Sequence, residues 1–110
     1  MAYDEVLAGR IRDLVAGEPV TEKKMFGGLA FLLGGHMAVA ASGQGGILVR
    51  VEPEQTDELL REPGAAPMEM GGRGGMAGWL RVAPEAVDDD EALSVWVRRG
   101  LDFAGSLPPK

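Results

Sequence analysis

His36 is the only histidine among 110 residues, and so the one side chain whose ordinary titration lies near neutrality. Acid–base chemistry would begin there. A nucleophile would need Ser, Thr or Cys beside a base that a third group holds in place. Cysteine is absent, and Ser42, Ser94, Ser106, Thr21 and Thr56 stand in no elbow or other nucleophile motif. His36 therefore reads first as a residue at the start of a strand or in a turn. The catalytic alternative is a pocket beside a sheet in which His36 acts with Glu69 or Arg73 on a small molecule.

With no cysteine and one histidine, a metal would have to sit among oxygens, and Asp88-Asp89-Asp90-Glu91 is the densest cluster of them. Adjacent acids on a helix point in different directions, and the alternating acids around a central Gly of a calcium loop are missing. The run fits a solvated helix N-terminus, where carboxylates meet the positive end of the helix dipole. Met25-Phe26-Gly27-Gly28 lacks the later Gly-Lys-Ser/Thr of a phosphate loop and the strand-to-helix setting of a dinucleotide fingerprint. Its paired glycines instead let the backbone turn between strands, while Met25 and Phe26 anchor the corner. The expectation is no catalytic residue, no metal and no cofactor.

The remaining chemistry is recognition. Gly71-Gly72-Arg73-Gly74-Gly75 has too few arginines for an RNA-contacting segment. Arg10, Arg12, Lys23 and Lys24, even joined by Arg50, Arg73 and Arg81, read as scattered, salt-bridged cations. A formal net charge of −6 repels phosphate backbones, so direct nucleic-acid contact through Lys23, Lys24 and Arg50 is a weaker alternative. Met68, Met70, Arg73, Met76 and Trp79 suit a different partner, because protein interfaces favour aromatic residues, Met and Arg at their centres. They are the expected interaction surface, although core filling by the methionines competes with that reading.

These residues must be positioned by one small domain, expected over residues 1–107 with a tail at 108–110. Tyr3, Val6, Leu7, Ile11, Leu14 and Val15 recur at helical spacing, and Gly17 followed by Pro19 stops that helix. Apolar runs between glycine clusters then predict four strands, Thr21 to Met25, Leu29 to Leu33, His36 to Ser42 and Ile47 to Val51. Their short connections force antiparallel neighbours, a meander. Pro53 opens a short helix through Leu60, and residues 63–75 read as a mobile loop rich in Gly and Pro. Met76 to Val82 is a fifth strand, and Leu93, Trp96, Val97, Gly100, Leu101 and Ala104 line a last helix behind the acidic run. The predicted class is α+β, an antiparallel sheet of about five strands flanked by terminal helices in the order α-β-β-β-β-α-β-α. On the fourth strand Ile47, Val49 and Val51 share one face and Leu48 and Arg50 the other, so helices are expected over the first.

The segments Lys24 to Phe31, Gly35 to Ala38 and Leu48 to Pro53, followed by Met76 to Val82 and a Trp-bearing last helix, resemble the N-terminal domain of the TfoX/Sxy competence regulators. Met25, Phe26, Gly27, Gly28 and Gly35 carry the motif in structural roles. The resemblance implies an α+β fold, a regulatory part in transcription of DNA-uptake genes alongside the cyclic-AMP receptor protein, and no catalytic residues. It also implies a stand-alone copy, since the family's second, helical domain has no counterpart in these residues. The expected function is a non-enzymatic interaction domain with a protein partner, or with a second copy as a homodimer, through the sheet edge or the Met-bearing segment. No apolar run reaches membrane-spanning length, and a cytoplasmic location is expected.

Overall fold

The computed structural model describes residues 3–25, 27–67 and 78–109. Helix α1 (Glu5–Leu14) is capped by Asp4, whose carboxylate accepts from the backbone N–H of Val6 and Leu7. Four strands follow, β1 (Val20–Met25), β2 (Gly28–Leu33), β3 (His36–Ala41) and β4 (Ile47–Arg50). A 3-10 turn at Pro53–Gln55 leads into a single helical turn, α2 (Thr56–Leu59). Strands β5 (Ala65–Pro67) and β6 (Trp79–Val82), a second 3-10 turn at Pro84–Val87 and helix α3 (Asp90–Ser106) complete the order. The class is α+β, and the sheet has six antiparallel strands in the order β1-β2-β3-β4-β6-β5.

Two expectations change here. The stretch expected as an unstructured loop begins with β5, which pairs on β6 at the outer edge of the sheet. A strand of three residues ending in Pro67 is tolerated there because nothing lies beyond it to need the missing N–H. Ahead of it, Gly64 turns with φ +78° and its carbonyl accepts from the N–H of Ala83 at 2.9 Å. The strand expected from Met76 begins at Trp79, because Gly78 is a turn residue at φ +88°; residues 76 and 77 lie outside the described residues.

Helices α1 and α3 cover one face of the sheet. Leu7, Ala8, Ile11 and Val15 enter that core, while Val6 and Leu14, also in the predicted stripe, remain exposed. From α3 come Leu93, Trp96, Val97, Leu101 and Ala104, meeting Phe31, Val39, Ile47, Val49, Leu80 and Val82 of the sheet. Sealing each of these large side chains from water stabilises the fold by roughly 1.5–3 kcal/mol before entropy is counted. The β2–β3 register shifts between Phe31 and Leu32, which pair with Val39 and Met37, so Ala38 is an extra, bulged residue. Gly100 of α3 sits on this bulge: a Cβ there would lie 2.3 Å from the Ala38 carbonyl oxygen.

Candidate interaction surface

The second sheet face has no helix over it among the described residues. Cross-strand register places Lys23, Ala30, Ala40, Leu48, Arg81 and Ala66 in one row across all six strands. Alternation puts Thr21, Met25, Leu32, Met37, Arg50 and Trp79 on the same side. Ala30, Met37, Ala40 and Leu48 form a small buried cluster of their own, against which Met25, Leu32 and Trp79 pack half-buried. The strand residues of this face include three cations, Lys23, Arg50 and Arg81, and no acid. In a chain of net charge −6, the carboxylates are therefore gathered on the helices and connections.

Trp79, the described member of the expected interaction set, is positioned from two directions. The N–H of Gly78 donates to Thr56 Oγ1 at 2.7 Å, and the Gly78 carbonyl accepts from the N–H of Val51 at 2.8 Å. The buried Thr56 hydroxyl and the end of β4 thus fix the entry to β6. Arg50, paired with Trp79 in register, holds its guanidinium carbon 5.2 Å from the Trp79 ring centroid and 5.5 Å from that of Phe103. Beside Phe103 a cleft of about 260 Å³ is lined by Val51, Glu52, Gln55, Arg99, Asp102 and Ser106. Arg99 lies 4.6 Å over the Trp96 ring and 3.5 Å from Glu62, while its Nη1 is buried without a hydrogen-bond partner. An aromatic–arginine cluster beside a mixed-charge cleft can bind; it aligns no nucleophile with a base.

Met68, Met70, Arg73 and Met76, the rest of the expected surface, lie outside the described residues, as do Phe26 and Glu69. His36 begins β3, with Nε2 2.7 Å from the Pro108 carbonyl oxygen and Nδ1 buried without a partner. It fastens the C-terminal segment to the β2–β3 turn and lines none of the clefts beside α3. Motif glycines act through the backbone: Gly27 and Gly35 adopt φ +73° and +85°, and a Cβ on Gly28 would lie 2.0 Å from the Ala41 carbonyl oxygen. Met25 packs half-buried on the second face rather than in the main core.

The cations divide. Arg10 pairs with Asp90 at 2.9 Å, and Arg12 donates to both oxygens of Glu22 at 2.6 and 2.8 Å. These bonds from Arg12 hold the Glu22 carboxyl below its ordinary range, and Glu22 raises Arg12 in turn. Asp89 caps α3 by accepting from the N–H of Ala92 at 3.1 Å. Sequence reasoning missed Phe103 and Thr56. Phe103 stands seven residues beyond Trp96, a spacing that marks it as a neighbour along the helix flank, but no local pattern reveals that Thr56 closes on a residue 22 positions away.

Fold and surface together define a small α+β domain whose sheet is clad by helices on one side and carries an apolar, basic second side. Residues 13–104 match the family model of the TfoX N-terminal domain, and the chain belongs to that family. It matches no curated protein. Among the described residues no helix is long and apolar enough to cross a membrane.

Proposed function

We propose that this domain is a non-enzymatic, cytoplasmic docking module that regulates through a protein partner. The observation that carries the reading is the acid-free second sheet face ending at the Trp79–Arg50–Phe103 cluster. Half-buried Trp and Arg side chains release little entropy-rich freedom on binding and add large contact area, the property of interface anchors. Family membership directs the role toward transcription regulation, and the partner toward components of that machinery. Capture from a native lysate tests it. Wild-type domain should retain a defined protein that Trp79→Ala and Arg50→Glu release, with circular dichroism confirming that both variants remain folded. Identical capture by folded variants would remove this face from the function.

A further inference from the structure

We infer that the free edge of β1 is the docking strand for an extended, acidic segment of a protein partner, an inference that rests on the docking role above and names its chemistry. The two edges of the sheet differ. β5 is three residues long and ends in Pro67, a blunted edge. β1 runs six residues in unbroken register with β2, without proline or bulge, and Thr21, Glu22, Lys23 and Lys24 are all exposed. Met25 and Gly28 close a two-residue loop, which makes them a hydrogen-bonded pair. Counting back from that pair, Glu22 and Lys24 turn their N–H and C=O groups away from the sheet. Neither takes part in any backbone hydrogen bond outside the ladders among the described residues.

Charge selects the occupant. Glu22 is already held by both bonds from Arg12, whereas Lys23 and Lys24 have no ion-pair partner among the described residues. These lysines are consecutive and so project on opposite faces of the strand. Two adjacent carboxylates on an added strand would do the same and meet both. A second copy fits less well. Adjacent pairs in an antiparallel ladder alternate in type, so a two-fold axis must set one residue opposite its own copy. The registers of greatest overlap for β1 put Glu22 on Glu22 or Lys23 on Lys23. The latter offers Glu22 to Lys24 of the other copy, but that carboxylate is occupied by Arg12.

The test titrates isotope-labelled full chain with a capped peptide of β1's length, β-branched residues around a central Asp-Glu pair, read by amide chemical shifts. Shifts confined to Val20–Met25 and their β2 partners are expected, with the Asn-Gln peptide roughly 2- to 30-fold weaker from two lost cross-strand charge pairs. Lys23→Glu/Lys24→Glu should invert the preference toward a Lys-Lys peptide. Lys24→Pro, tolerated at an edge but lacking the outward N–H, should bind more weakly than Lys24→Ala. Equal binding of acidic and neutral peptides, shifts centred on Trp79, concentration-dependent protection of β1 without peptide, or an oligonucleotide shifting the same amides more strongly would each overturn the edge assignment. Partner capture that depends on Trp79 yet survives the double Lys variant would sink this inference while leaving the docking role intact.

Discussion

Two helical glycines should respond to alanine with opposite signs. Gly100 rests on the bulge of β3, and its added methyl would stand 2.3 Å from the Ala38 oxygen and 2.9 Å from the Ala38 carbonyl carbon. Both obstacles are backbone in a strand paired on each side, so α3 must lift, loosening Trp96, Val97 and Leu101 beneath it. Overpacking costs about 1–3 kcal/mol, and this contact belongs at the upper end. Alanine returns about 1 kcal/mol of helix propensity, leaving a net loss of about 2 kcal/mol. Gly9 in α1 has nothing within 4 Å of its Cβ direction. There the propensity gain stands alone, and Gly9→Ala should stabilise by roughly 0.5–1 kcal/mol. Urea unfolding of the two variants beside wild type measures both, with Gly100→Ala lowering the midpoint by about 1 M for an ordinary slope. A Gly100→Ala midpoint equal to or above wild type would refute the close approach of α3 to the bulge.

Other residues make separate claims. Thr56→Val keeps shape but strands the buried N–H of Gly78, so stability should fall by about 1–3 kcal/mol in the same unfolding assay, and Trp79 fluorescence should report a loosened entry to β6. Asp89→Ala removes the α3 cap and should cost about 0.5–2 kcal/mol, with Asp89→Asn recovering most of it. Glu22 is lowered in the folded state by Arg12, so it contributes stability above the ordinary carboxylate range that is lost as pH falls through the folded value. Glu22→Gln should therefore lower the urea midpoint slightly at neutral pH and flatten its acid decline; an unchanged acid limb would show the exposed pair to contribute nothing.

The fold was legible where glycine and apolar spacing spoke together. Gly27-Gly28 and Gly34-Gly35 bracket β2, and the acidic run before Leu93 marks the start of α3. β5 was not legible, because three residues between Gly64 and Pro67 are too few to show alternation and acquire strand geometry only from β6. In α1 the helical period includes Val6 and Leu14, but where the buried arc ends depends on how the helix lies across the sheet. The site was legible only in part. Trp79 was chosen for its type, whereas its pairing with Arg50 depends on β6 lying beside β4, a neighbour relation between segments 29 residues apart in register. The remaining residues proposed for that surface lie outside the described ones.

The division of charge ties these observations together. A sheet buried on both faces reads as continuous apolar strands, and one open to water alternates apolar with polar. This sheet does neither: its second face is apolar at Ala30, Ala40 and Leu48 and cationic at Lys23, Arg50 and Arg81. Solubility alone would be served as well by carboxylates there, yet the acids sit where each has a local task, capping α3 at Asp89, pairing Arg10 at Asp90 and neutralising Arg12 at Glu22. Moving a carboxylate to this face tests whether its sign matters. Arg81→Glu keeps a long stem beside Ser42, whose hydroxyl Arg81 now reaches at 3.3 Å. Fold stability should change by less than about 1 kcal/mol, as for other partly exposed charge contacts, while capture of an acidic partner should fall sharply and recover with Arg81→Lys. Equal capture by all three forms would mean that the positive sign of this face plays no part in binding.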